Sequence, residues 1–404
     1  MSGEIVYSKG LRKIRPYYSI RTSFAKGRWL GLSLLDVLSK EFRAFNRDQY
    51  MDGIRKGNYS IVRAGIVLTP LQVLTVSIQN KDIVTTKAHK HEPPVKQWCS
   101  MDNEIQDNHQ KVAGIDILHE NDDLLVINKP CGIPVHPTGQ YYQNTLTEIL
   151  KIHGKEAYPC YRLDKVTSGV LIMAKTQQIA SDIQSKIRKH DMNKFYLARV
   201  KGKFPKMQNQ FTSDVSHEDN ITKMLISENK TTTSSNLFTI QLKRQFPSGL
   251  SPSKSARTDF YPIKYFPQNN QSLILCRPLT GRTHQIRIHL ARLGFPIVND
   301  PFYNIDISKY PYRAEFIIDN DNWEGSKFDQ NKLKEIFDNF IKEHEEVQTT
   351  TEFNKGVDKC NECGVFEIND PHLSELGLYL HAWRYSDDAE SFAYQTKLPY
   401  WAEY

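Results

Sequence analysis

The sequence predicts a mixed α/β protein of two or more domains, and three observations carry that reading. The chain has 404 residues, more than one ordinary hydrophobic core organises. Short, branched apolar runs such as residues 170–174 have the length and composition of buried strands. Elsewhere apolar residues recur at helical spacing: Ile286, Leu290 and Leu293 fall at i, i+4 and i+7 just ahead of Gly294. With 39% hydrophobic and 25% charged residues the composition is that of a water-soluble globular protein. No apolar stretch approaches the roughly 20 residues a membrane span needs.

The elements follow in order. Residues 8–28 hold Lys9, Arg12, Lys13, Arg15, Arg21, Lys26 and Arg28 with serine and threonine and no acid. That is the composition of a mitochondrial presequence. It is equally that of a basic arm that touches RNA, or of a plain solvated terminus, so 1–28 is expected as a basic N-terminal arm. Over 30–60 a helical pattern runs through Leu34, Leu35, Val37, Leu38, Phe42, Met51 and Ile54, with Gly57 as a stop and short strands over 61–83. Residues 29–95 loosely resemble an S4-like RNA-binding fold, two helices and a small sheet with a basic face. The plainer alternative is a small domain whose charges are only solvated. The string His91-Glu-Pro-Pro-Val95 and the polar stretch after it read as a connection, with 96–111 as linker and a second domain over 112–404.

In that second domain, 124–127 reads as a strand, 145–152 and 179–187 as helices, and 195–200 as an alternating strand. Most of 203–258 is polar and reads as loops, with a strand at 237–242. A core strand at 272–279 precedes the helix that carries Ile286, Leu290 and Leu293. Residues 304–370 are richer in Asp and Glu and read as an insertion, partly helical around 332–344. Residues 378–385 and 394–398 return to strand composition.

The most informative segment is 161–175, Tyr-Arg-Leu-Asp-Lys-Val-Thr-Ser-Gly-Val-Leu-Ile-Met-Ala-Lys. It sets one carboxylate, Asp164, in a polar turn at the lip of a core strand. Taken alone, Asp164 caps that turn or pairs with Arg162 or Lys165. The whole string, however, resembles the catalytic motif of the RluA-type pseudouridine synthases, His-Arg-Leu-Asp-x-x-Thr-Ser-Gly, with Tyr161 where histidine is usual. Three further stretches are similar to that family, in its order. They are 117–137 (Ile-Leu-His-Glu-Asn-Asp-Asp-Leu-Leu-Val-Ile-Asn-Lys-Pro-Cys-Gly-Ile-Pro-Val-His-Pro), 194–202 (Lys-Phe-Tyr-Leu-Ala-Arg-Val-Lys-Gly) and 278–290 (Pro-Leu-Thr-Gly-Arg-Thr-His-Gln-Ile-Arg-Ile-His-Leu). The resemblance covers 115–304 well and 376–404 more loosely. The overall layout looks like the eukaryotic tRNA branch of the family.

The resemblance implies a catalytic domain on a mixed, largely antiparallel sheet. It also implies isomerisation of uridine to pseudouridine: the N1–C1′ bond breaks, the uracil turns, and C5 rejoins C1′. The atoms of the base are kept, so no cofactor is expected. Asp164 is then the acid that acts on the sugar, as nucleophile or as base. Arg287 is its partner, keeping the carboxylate ionised; the alternative is a surface arginine lying over apolar neighbours. Tyr196 offers a ring for the uracil to stack on and a hydroxyl for proton transfer, or else only packs a core. Arg162 resembles the arginine that fills the gap left by a flipped nucleotide, or else makes an ordinary salt bridge. The implied partner is RNA, transfer RNA foremost and its anticodon stem-loop in particular, with no membrane and no obligate protein partner. The rival readings are a non-catalytic RNA-binding protein that keeps the fold, and a glycosylase that releases the base.

The net charge of +7 is compatible with a phosphate-bearing partner without requiring one. Six scattered cysteines, with no secretory signal and no disulfide-like framework, point to a reducing compartment. That compartment is expected to be the cytoplasm, with mitochondria second. Cys360-Asn-Glu-Cys363-Gly has the shape of half a zinc site. Cys99, His344 and His372 are available to complete it, but none forms the usual second pair. Cys360 and Cys363 are therefore a weak candidate pair and no metal is expected. Gly281-Arg-Thr-His-Gln lacks the glycine spacing of a P-loop.

Overall fold

The computed structural model describes residues 3–42, 46–98, 110–189, 191–205, 230–241, 244–321, 329–350, 358–387 and 392–402. Two compact units share the chain. The smaller comprises Met1–Val6, Ile14–Glu92 and Asp358–Glu367; the larger comprises Tyr7–Lys13, Pro93–Val357 and Ile368–Tyr404.

In the small unit an antiparallel sheet runs in the order Tyr17–Phe24, Ile83–Lys90, Tyr59–Arg63, Ile66–Val67. Helices Arg47–Arg55 and Pro70–Thr75 begin at capping boxes, Asn46 with Gln49 and Thr69 with Gln72. Trp29, Leu34, Leu38, Tyr50, Ile54, Ile61 and Val84 form one buried cluster. Helices over 30–60 are found as expected, and strands occupy both ends of 61–83 with the helix Pro70–Thr75 between them, but the basic stretch is not a loose arm. Tyr17–Phe24 pairs residue for residue with Ile83–Lys90. Its outward residues are exposed or half-buried, so it lacks the apolar alternation that betrays a strand. Arg12 belongs to the large unit, where it is buried and donates to Asn144. The expected linker is shorter too: Val95 and Lys96 pair with Arg12 and Leu11, while 99–109 lie outside the described residues.

The large unit is built on a sheet whose order is Thr231–Leu237, Lys254–Phe266, Gln271–Pro278, Met192–Lys201, Leu380–Asp387, Ser168–Ala174, Leu124–Lys129, Ile115–Glu120, Lys111–Val112. These neighbours are antiparallel except where Ser168 and Gly169 run parallel to His381 and Ala382. A mixed, largely antiparallel sheet is what the family resemblance implies. Helices Leu146–Ile152 and Gln177–Lys189 bury Leu146, Ile149, Leu150, Ala180 and Ile183 against Leu124–Lys129 and Ser168–Ala174.

Helix Gln285–Arg292 is covered on two sides. Ile286 and Leu290 join Ala198, Val200, Phe260 and Ile274. Ile288 and Ala291 join Leu237, Phe316, Phe337 and Phe340. In the second cluster Phe316, Phe337 and Phe340 come from helices Pro311–Asp319 and Gln330–Thr350 of the expected insertion. Because the insertion lies over this helix, Gln285–Ala291 are all buried.

Two expectations differ from the fold. Thr231–Leu237 is a strand of Thr, Ser and Asn within a span expected as loops. It is held by pairing with Lys254–Phe266, and its own residues carry no hydrophobic signal. Of the strand expected at 237–242, Leu237 ends this strand and residue 242 lies outside the described residues. Among the described residues no helix is long and apolar enough to cross a membrane.

Candidate active site

The site grows from the turn that feeds Ser168–Ala174. The amide of Thr167 donates to the carbonyl of Asp164 (3.1 Å), closing the turn. Lys129, fully buried at the end of its strand, aims its ammonium at three carbonyls, those of Pro130 (2.9 Å), Lys165 (3.3 Å) and Thr167 (2.8 Å). Burial pulls its pKa down to about 7, opposed by electrostatic attraction from the neighbouring Cys131 and Asp164. The amide of Gly132 adds a bond to the Lys165 carbonyl (2.7 Å). The turn is thus fixed through its backbone, which leaves the Asp164 side chain free to face the cleft.

Gly169 explains the glycine of the motif. Its φ is +115°, and a Cβ there would sit 2.2 Å from the carbonyl oxygen of Ala382. Only glycine permits the close approach of the two parallel strands at this point.

Asp164 keeps 34% side-chain exposure, with Arg287 Nη1 at 3.6 Å and His284 Nε2 at 3.7 Å. Arg287 is held from behind. Its Nε and Nη2 donate to the two oxygens of Asp300 at 2.7 and 2.8 Å, in a pair closed to solvent. Asp300 also accepts the amides of Phe302 and Tyr303. Burial works against both charges, but the mutual hydrogen bonds and attraction outweigh it, holding Arg287 protonated and the Asp300 carboxyl below its usual range. The guanidinium lies over the ring of Tyr303 (5.0 Å), whose hydroxyl meets His284 Nδ1 at 2.8 Å. Burial, followed by the charge of Arg287, pulls His284 down to about 4, so it is neutral at physiological pH. One buried acid therefore serves the arginine, and the arginine's remaining nitrogen faces the half-exposed acid.

Opposite stands an aromatic group. Tyr196 shares a hydrogen bond with Tyr385 (Oη–Oη 2.8 Å), and Tyr385 stacks on Tyr161 with ring centroids 4.6 Å apart. Burial pushes the Tyr196 hydroxyl up to about 12, so it too is neutral. The departure at Tyr161 has a structural account. Its hydroxyl donates to the Val170 carbonyl (2.9 Å) and accepts from the Ile172 amide (3.3 Å), tying the segment before Asp164 to the strand after it.

Asp164, His284, Arg287, Tyr161, Tyr196 and Tyr385 line a cleft of about 630 Å³, together with Arg162, Lys194 and His136. The cleft brings together all four residues singled out from sequence: Arg162, Asp164, Tyr196 and Arg287. Tyr196 does pack against two core clusters, as its plainer reading has it, but for the other three the plainer readings find little support. Asp164 meets Arg287 and His284 rather than Arg162 or Lys165, and Lys165 instead reaches the Tyr141 hydroxyl (3.2 Å). Arg287 is buried, not a surface arginine. Arg162 is exposed at the lip of the cleft, and among the described residues no carboxylate pairs with it. Sequence reasoning missed Lys129, His284, Asp300 and Tyr385. The first two sit inside quoted motifs, but their contacts are made by the fold. Asp300 comes 13 residues after Arg287 with no pattern linking them.

The cysteine pair lies in the small unit and has a different environment from the one expected. Its neighbours are His89 and His91. His344 lies tilted against Tyr310 and His372 bonds Ser374, while Cys99 lies outside the described residues.

A single carboxylate beside a fixed cation, under neutral hydrogen-bonding groups and aromatic rings, suits chemistry on an uncharged ring substrate whose sugar carbon gains positive character. The comparisons agree. The family model for RNA pseudouridylate synthase matches residues 123–292. The chain is 49% identical to the tRNA pseudouridine(31) synthase of Saccharomyces cerevisiae, over 99% of this chain and 97% of that protein. It is 31% identical to the mitochondrial tRNA pseudouridine(32) synthase of the same yeast, over 99% of this chain and 78% of that one. It is 38% identical to the human pseudouridylate synthase RPUSD2, over 74% of this chain and 47% of that one. Four motifs in the family's order and a near full-length relative lead to one conclusion: the chain belongs to the RNA pseudouridylate synthase family of isomerases.

Proposed function

We propose that this protein isomerises a uridine of transfer RNA to pseudouridine, at position 31 of the anticodon stem-loop, with Asp164 as the catalytic carboxylate. The observation that carries the reading is Asp164 in an open cleft, 3.6 Å from an arginine that Asp300 already holds. An ionised carboxylate there either bonds to the sugar or removes a proton from it as the N1–C1′ bond breaks. The cleft retains the freed uracil while it turns, C5 joins C1′, C5 gives up its proton and N1 gains one. One proton leaves to water and one is taken up from it, while no heavy atom and no electron enters from outside, so the step needs no redox co-reactant. Tyr196 packs against the base and, being neutral, acts through its hydroxyl as a hydrogen-bond partner. Arg162, exposed at the lip, fills the space the flipped nucleotide leaves.

The full-length similarity to the yeast position-31 enzyme supports the choice of nucleotide. The small unit is read as a docking surface for phosphates. The cytoplasm is read as the compartment, with mitochondria second; a mitochondrial relative supports the latter. Pseudouridine mapping of total RNA from cells with and without the protein tests the proposal. Loss of the signal at tRNA position 31 is expected. Loss at position 32 alone would move the site, and unchanged maps would reject the substrate. Chromatography of treated RNA separates the rivals: free uracil marks a glycosylase, and an isomerised nucleoside of unchanged mass marks the synthase.

A further inference from the structure

We propose that His89, His91, Cys360 and Cys363 form a structural zinc site in the small unit. One ligand atom from each lies within 4.8 Å of all the others. Two of the contacts are close to the nitrogen–sulfur spacing of a tetrahedral set. His91 Nε2 is 3.2 Å from Cys363 Sγ, and His89 Nδ1 is 3.5 Å from Cys360 Sγ. Metal–ligand bonds of about 2.0–2.1 Å to nitrogen and 2.3 Å to sulfur, at tetrahedral angles, put nitrogen and sulfur roughly 3.6 Å apart.

Each pair is presented by backbone geometry. His89 lies on Ile83–Lys90 and His91 two residues on, a spacing that turns both rings to one face. The cysteines sit on a tight turn in which the Cys360 amide donates to the Val365 carbonyl (2.9 Å) and the Gly364 amide to the Cys360 carbonyl (2.8 Å). Gly364 supplies the left-handed φ of +69°. Behind the set, the Glu362 carboxylate stands 3.8 Å from His89 Nε2, where a carboxylate orients a metal-bound imidazole and leaves Nδ1 as the donor. The Tyr18 ring packs tilted against His89, with centroids 4.8 Å apart.

Four protein donors leave no open position, so the ion is structural and has no part in the chemistry at Asp164. Two thiolates and two imidazoles at tetrahedral spacing favour zinc. The ion would join positions 271 residues apart, fastening Asp358–Glu367 to the strand that carries His89. That distance in sequence is why the second ligand pair is invisible beside the C-x-x-C.

The test uses the full chain, purified reduced and without chelator. Elemental analysis is expected to find about one zinc per chain. After stripping, Co(II) alone is expected to give the visible bands of a tetrahedral ion with thiolate-to-metal charge transfer. Cys360→Ser and His91→Ala are expected to lower bound metal at least tenfold, and to lower the thermal transition of the small unit. If those variants do not fold, the cobalt spectrum of the unaltered chain decides the matter. An octahedral spectrum, no stoichiometric metal, stoichiometric iron, or a Cys360–Cys363 disulfide in the reduced preparation would overturn the site.

Discussion

Asp300→Asn isolates the part of the site that holds Arg287. In the native protein Asp300 takes two charge-assisted hydrogen bonds from Arg287 and is fully shielded from solvent. Asparagine keeps the shape and one acceptor but turns an NH2 group toward a guanidinium. Removing one partner of such a pair costs roughly 3–5 kcal/mol, because the other charge stays buried without its counter-charge. At about 2–3 °C per kcal/mol for a unit of this size, the melting temperature should fall by roughly 6–15 °C. The chemistry should suffer separately. An arginine without Asp300 is drawn toward Asp164, now 3.6 Å away. A shift of about 1 Å in a reacting group costs on the order of a hundredfold in rate. The assay follows from the reaction: C5 loses its hydrogen, so RNA labelled with tritium at uridine C5 releases it to water. At a temperature where the variant is folded, kcat is expected to fall about a hundredfold with RNA affinity little changed. Wild-type melting together with wild-type kcat would refute the claim that Asp300 fixes the catalytic arginine.

Three further outcomes are expected. Arg162→Ala should lower kcat/KM by roughly ten- to a hundredfold, the few kcal/mol that base flipping requires, without changing the melting temperature, since Arg162 is exposed; an unchanged kcat/KM would remove it from the flipping step. Tyr161→Phe keeps the stack on Tyr385 but loses two hydrogen bonds to the strand, so urea denaturation should show a loss of about 1–2 kcal/mol, and no loss would leave the Tyr161 hydroxyl without a structural role. His289 and His381 are each buried between two hydroxyls and held down at about 4 by burial. Their folded pKa lies below the unfolded value of about 6.5, so the stability they contribute is complete above pH 6.5 and is lost as pH falls toward 4. The limit is about 3 kcal/mol each, and urea curves that do not move between pH 7 and 4.5 would contradict it.

What the sequence made legible was local. The Asp164 turn, the apolar strand after it and the helix bearing Arg287 each carry their pattern within a dozen residues. What it hid was assembled from a distance. Asp300 reaches Arg287 because the chain folds back after the helix, and Tyr385 on its strand reaches Tyr161 in the segment before Asp164. His89 meets Cys360 only once a long excursion returns. The polar strand Thr231–Leu237 and the basic strand Tyr17–Phe24 were unreadable for another reason: each is held by its partner strand rather than by an apolar face of its own. Arg12 shows the same limit, since a buried arginine bonded to Asn144 looks like any other cation in a basic stretch.

The central claim is that the Asp164 carboxylate performs the chemistry, and Asp164→Asn tests it most directly. The substitution preserves volume at a position that is one-third exposed, so folding and RNA affinity should stay within a few-fold of wild type. Pseudouridine formation should be abolished in single-turnover reactions with saturating enzyme, measured as tritium release from C5. Appreciable turnover by a clean Asp164→Asn preparation would contradict the account.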